Sequence, residues 1–144
     1  MSLKTAYDAD NIFAKIIRGE APAVKVCESK DVLAFMDVFP QSEGHCLVVH
    51  KRQKAVNLFD IDGKALATLT KVVQEVAAAI VKALEPDGVR IVQFNGAPAG
   101  QTVFHLHFHI IPTYEGLPTR PHATAGPLGA DVLEPIAKKI NAAL

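Results

Sequence analysis

Between residues 105 and 111 the chain runs His-Leu-His-Phe-His-Ile-Ile, three histidines alternating with large apolar residues. Strict alternation has the period of a β-strand, in which successive side chains point to opposite faces. The alternation therefore predicts a sheet with Leu106, Phe108 and Ile110 turned to a core and His105, His107 and His109 turned away from it. Cα atoms two apart on a strand are separated by about 6.5–7 Å, so the imidazoles form a rigid row. Each can act as nucleophile, acid, base or ligand near neutral pH.

The rest of the chain supplies strands and helices around this one. Apolar runs at 24–28 and 32–37, joined by Ser29-Lys30-Asp31, predict a hairpin, and residues 45–50 predict a third strand. Residues 89–94 predict a fourth, antiparallel to the histidine strand across the breaker-rich loop 95–100. Asp10 is a candidate cap for a short helix with Ile12, Phe13, Ile16 and Ile17 on its apolar face, stopped at Gly19. The longest helix is expected from near Gly63 to Leu84, and a last amphipathic helix carries Leu133, Ile136, Ala137, Ile140 and Leu144. Together these predict an α+β fold: a five-stranded, mostly antiparallel sheet with two main helices and a C-terminal helix, one face carrying the helices and the other partly free for a ligand. At 144 residues and 49% hydrophobic content, one domain over 1–144 with a sizeable core is expected. Its core spans about 10–114, and 115–144 holds an irregular segment and the last helix.

Fifteen basic and fifteen acidic residues give a net charge of +0, so bulk charge offers nothing to nucleic acid or a membrane surface. No apolar run has signal-peptide or membrane-span length, and the two cysteines, Cys27 and Cys46, make no disulfide framework. A cytoplasmic protein is expected. The long helix is apolar on more than one side, through Val72, Val81 and the alanines 77–79. That predicts burial on more than one side, hence a homodimer.

Three uses of the imidazole row are open. A purely structural row would need partners for every ring N–H. A metal could bridge two histidines at i and i+2, but His105 and His109 lie about 13 Å apart along a strand, so a third ligand such as His45 must come from elsewhere. A nucleophilic histidine could instead attack phosphorus, given donors for the phosphate oxygens. The loop 95–102 offers such donors in Asn95, Gln101 and Thr102, with Gly96 and Gly100 permitting close backbone approach.

With these motifs in this order, the chain resembles the histidine-triad (HIT) family of nucleotidyl hydrolases and transferases, in particular its Hint branch. The likeness covers roughly residues 10–114: the histidine strand, the segment 12–23, the runs 33–38 and 44–49, and Asn95 with 99–104. The resemblance implies a homodimer, and attack on the α-phosphorus of a nucleotide through a covalent nucleotidyl-histidine. It implies His107 as nucleophile, and His109 as the contact to phosphate and leaving group. His105 is the supporting histidine, with His45 as its neighbour. Asn95, Gly100, Gln101 and Thr102 match the phosphate loop, Thr102 standing where the family often has Ser. Asp37 matches the acid that holds ribose, and Phe13, Ile16, Phe35 and Val38 match the base wall. His50 and His122 have no role and are expected at the surface.

Many bacterial relatives hold a structural zinc with two cysteines and histidines matching His45 and His105. Asn11 and Ala14 stand at the cysteine positions here, so no metal is expected. No cofactor is expected either. The expected function is hydrolysis of nucleoside phosphoramidates, with adenylyl, that is purine nucleotide, substrates. The alternatives are a dinucleoside-polyphosphate hydrolase and a nucleotide-binding interaction protein with incidental turnover.

Overall fold

The computed structural model describes residues 3–121 and 126–144; His122, expected at the surface, lies outside the described residues. The elements in chain order are α1 (Ile12–Ile17), β1 (Lys25–Glu28), β2 (Val32–Met36), β3 (Cys46–His50), α2 (Gly63–Leu84), β4 (Gly88–Val92), β5 (His107–Thr113) and α3 (Ala130–Ala142). The strands form one antiparallel sheet in the order β1-β2-β3-β5-β4, as the hairpin signals predict.

Local chemistry sets the helix limits. Asn11, not Asp10, caps α1: its backbone is extended and its side-chain oxygen accepts the Ala14 N–H at 2.9 Å. Gly19, at φ +78°, takes the left-handed turn that ends this segment. Asp62 caps α2 by accepting the N–H groups of Lys64 and Ala65 at 3.1 and 3.2 Å.

Period-2 burial divides the sheet cleanly. Val32, Ala34 and Met36 of β2, Cys46 and Val48 of β3, and Phe108 and Ile110 of β5 face one core together with α2 and α3. Leu33, Phe35, Leu47 and Val49 face the other side, where Phe13 and Ile16 of α1 cover them. His107 and His109 share that second side because they alternate with Phe108 and Ile110. The short α1 cannot cover the whole face, and the uncovered part is the cavity described below.

Two expectations are corrected. His105 and Leu106 lie before β5 rather than within it: the Leu106 N–H donates at 2.8 Å to the Ala55 carbonyl, outside the strand ladder. Leu106 still joins the core on the α2 side. His50 is buried, not at the surface, since it ends β3 and its Nδ1 accepts the Arg52 N–H at 3.1 Å. The second apolar side of α2 is also partly taken up within the chain. Leu133, Ala137 and Ile140 of α3 pack into the same cluster as Leu69, Val73, Val76 and Ile80 of α2. Among the described residues no helix is long and apolar enough to cross a membrane.

Candidate active site

A cavity of about 480 Å³ opens between α1, the ends of β2 and β3, and β5. His107, His109, Asp37 and Thr102 are polar residues of its wall, and Phe13, Ile16, Phe35 and Val38 are among the apolar ones. All eight of these were expected at the site. Leu47, Phe39, Val103 and the Ala21-Pro22-Ala23 turn also line it. Nothing in their sequence pattern separates them from ordinary core or turn residues.

The hydrogen-bond partners assign the tautomers of the two cavity histidines. His107 Nδ1 lies 2.6 Å from the His105 carbonyl oxygen. A carbonyl only accepts, so Nδ1 carries the proton and Nε2 keeps its lone pair. For His109 the argument starts two residues away. The Gln41 backbone N–H donates to His45 Nδ1 at 3.0 Å, which places the His45 proton on Nε2. That nitrogen lies 2.9 Å from His109 Nδ1, which must therefore accept. A neutral His109 then carries its own proton on Nε2. Adjacent imidazoles, with ring centroids 5.0 Å apart, thus present opposite chemistry: an electron pair on His107 and a donor on His109. The rings are held by edge-to-face contacts, His107 on Phe13 and His109 on Phe94.

This geometry revises the expected partners. His45 pairs with His109 rather than with His105, because its Nε2 emerges on the cavity side of β3, 3.4 Å from an Asp37 oxygen. His105 is bonded elsewhere: its Nδ1 to the Tyr7 hydroxyl at 2.8 Å and its Nε2 to the His50 carbonyl at 3.3 Å. Asp37 serves the turn as well as the cavity, since Oδ1 accepts the Phe39 N–H at 2.8 Å.

The loop at 95–102 is a self-bonded scaffold. The Asn95 side-chain oxygen accepts the Leu58 N–H at 2.9 Å, and the same amide pairs with that of Gln93. Gln101 is buried, donating to the Val56 and Val103 carbonyls and accepting the Gly96 N–H at 2.8 Å. The Gly100 N–H donates to Ala97. Its φ of +112° and the Phe94 ring, 3.2 Å from where a Cβ would stand, account for glycine there. Asn95, Gly100 and Gln101 therefore shape the loop, and Thr102 is its member on the cavity wall.

The residues present do not fit the implied zinc set. Asn11 spends its side-chain oxygen on the α1 cap, Ala14 is buried and apolar, and both His105 nitrogens have protein partners. Among the described residues, the ligand atoms of Asp37, His45 and His109 do lie within 4.8 Å of one another. There, however, two imidazole nitrogens share a proton at 2.9 Å. Two nitrogen ligands of a tetrahedral zinc stand about 3.3 Å apart. Protein purified without added metal is expected to contain well under one zinc per chain by elemental analysis, and chelator is expected to leave activity unchanged. Near-stoichiometric zinc would contradict this.

Burial also holds the His105 ring down to about 4, against an ordinary 6.5. The unfolded chain takes up this proton first, so acid favours unfolding. The neutral ring's contribution is fully present above pH 6.5 and is lost as pH falls toward 4. The expected loss across that window is about 3 kcal/mol. Urea unfolding at pH 7 and pH 4.5 measures it, and His105→Gln is expected to flatten the slope. An equal slope in the variant would assign the acid sensitivity to other groups.

Residues 18–116 match the model of the HIT domain. A crystal structure of a Hit-like protein involved in cell-cycle regulation from Bartonella henselae is 49% identical, with a TM-score of 0.91 over 97% of this chain and 100% of that one. A zinc-bound histidine triad family protein from Mycobacterium smegmatis is 30% identical, with a TM-score of 0.80 over 93% and 92% of the two chains. The adenosine 5'-monophosphoramidase HNT1 of Saccharomyces cerevisiae is 39% identical over 112 residues, which is 78% of this chain and 68% of the yeast protein.

Proposed function

The chain belongs to the HIT-domain family, and from that premise we propose that it hydrolyses nucleoside phosphoramidates with adenylyl groups through a covalent nucleotidyl-histidine. It is an enzyme of the hydrolase and nucleotidyl-transferase type, in keeping with the phosphoramidase activity named for its yeast relative. The observation that carries the finer reading is the pair of opposite tautomers in the wall of a largely apolar cavity.

His107 Nε2 attacks the α-phosphorus as the phosphorus–nitrogen bond to the leaving amine breaks. The His107 proton stays on Nδ1 against the His105 carbonyl, which stabilises the positive charge that forms on the ring. His109 Nε2–H and the Thr102 hydroxyl face the phosphate oxygens and the leaving atom, where they offset developing charge by donating hydrogen bonds, and the leaving amine departs with a proton taken from solvent. Water then attacks phosphorus from the vacated side and releases a proton to solvent, freeing the nucleoside monophosphate and restoring the imidazole. Asp37 accepts the ribose hydroxyls, and the base enters the apolar part between Phe13, Ile16, Phe35 and Val38. The reaction needs no cofactor. Specificity constants on a panel of adenosine phosphoramidates and dinucleoside polyphosphates test the substrate class. A preference for the polyphosphates would move the assignment to a dinucleoside-polyphosphate hydrolase.

We place the protein in the cytoplasm, where the free thiols of Cys27 and Cys46 stay reduced. A homodimer is also part of this reading. α3 leaves Val81 of α2 48% exposed, and Ile91 on the edge strand β4 is 47% exposed. A two-fold pairing of these elements removes both from water and covers the β4 edge. Sedimentation at micromolar concentration is expected to give about twice 15.4 kDa. A single-chain mass there would refute the pairing.

A further inference from the structure

We propose that Tyr7 is a positioning residue for the nucleophile, holding the His105 ring and, through it, the peptide whose carbonyl sets the His107 tautomer. The proposal rests on the assignment of His107 as nucleophile.

His105 stands outside β5, so no strand ladder holds its carbonyl. That carbonyl nevertheless fixes which nitrogen of His107 has the lone pair. Its placement depends on what holds residue 105. The Leu106 N–H, on the same peptide unit, donates to Ala55 at 2.8 Å. The ring supplies the other anchor. His105 Nε2 faces the His50 carbonyl, which only accepts, so Nε2 carries the proton and Nδ1 accepts. The donor to Nδ1 is the Tyr7 hydroxyl at 2.8 Å, and the two rings also meet edge-to-face with centroids 5.6 Å apart.

The segment that carries Tyr7 is itself anchored. At Leu3 the carbonyl accepts from the side chain of Asn57 at 2.9 Å, and Asn57 is fully buried. Asn57 sits between Ala55 and Leu58, whose backbone groups bond Leu106 and Asn95. The segment 3–7 is thus fastened at one end to the residues that carry the phosphate loop, and at the other to the histidine that orients the nucleophile. A lone tyrosine seven residues into a polar segment carries no sequence signal for this role.

Tyr7→Phe isolates the hydroxyl and keeps the ring contact. With an adenosine phosphoramidate as substrate, it is expected to lower kcat about tenfold, the effect of one lost hydrogen bond to a buried group, with AMP affinity unchanged. The ¹⁵N spectrum of the imidazoles is expected to change from a single His107 tautomer protonated on Nδ1 to a mixture. Tyr7→Ala should show the same changes and a lower melting temperature. Wild-type kcat and an unchanged His107 spectrum in Tyr7→Phe would overturn the proposal, as would a fall in kcat without a tautomer change. Impairment of Tyr7→Ala alone would also overturn it, because it would reduce Tyr7 to packing. If the wild-type chain hydrolyses no phosphoramidate, the functional reading fails, and the imidazole spectra, which need no substrate, decide the role of Tyr7 alone.

Discussion

His107→Ala is expected to lower turnover of an adenosine phosphoramidate by about four orders of magnitude or more, in line with loss of the nucleophile in other covalent catalysts. The size follows from its place. His107 lines the cavity, and its proton is committed to a carbonyl at 2.6 Å, so the lone pair is on Nε2. His109 cannot take over, because the His45 contact at 2.9 Å leaves it with a proton on Nε2 rather than an electron pair. AMP should still bind, since Asp37, Thr102 and the apolar wall remain. Quenching the wild-type reaction early should trap an adenylylated peptide containing His107. A chiral phosphorus should be retained in configuration after two in-line displacements. Inversion, together with an active His107→Ala, would establish direct attack by water instead. His109→Ala should vary more in its effect, growing with the basicity of the leaving group it serves.

Asp37→Ala is expected to weaken AMP binding by about one to two orders of magnitude, the loss of a charge-assisted hydrogen bond worth roughly 1.5–3 kcal/mol. The carboxylate is only 4% exposed, so water screens it little. It also accepts the Phe39 N–H and lies 3.4 Å from His45 Nε2. Some loss of kcat is therefore expected beside the loss of affinity. Asp37→Asn separates the roles: it can keep the turn bond while removing the charge. Titration calorimetry with AMP measures the result. Wild-type affinity in both variants would leave Asp37 a turn residue and nothing more.

Much of the site was legible because strand periodicity ties chemistry to geometry. Once Phe108 and Ile110 face a core, His107 and His109 must share the opposite face, and the structure has them there. Phe35 follows by the same parity from Ala34 and Met36. The error at His105 has a physical cause. Alternation continues by coincidence two residues beyond the ladder, and the Ala55 carbonyl that captures the Leu106 N–H is fifty-one positions away. The bonding partners within the 95–102 loop were not legible for a related reason. Polar residue types announce that hydrogen bonds will be made, but not to whom, and Asn95 and Gln101 make theirs to the protein.

From its sequence alone this protein is an α+β chain with an antiparallel sheet, a helix-covered face and a face bearing imidazoles, because those properties depend on local period, capping and turn chemistry. The limits of α2 at Gly63–Leu84 and the membership of each side of the sheet are of this kind. The tautomers, and with them the division of labour between His107 and His109, were decided only by tertiary structure. They depend on a carbonyl brought back by a bend, on the Gln41 N–H acting through His45, and on Tyr7 reaching across 98 positions to His105. Hydrogen-bond direction is a property of pairs, and these pairs exist only once distant segments have met.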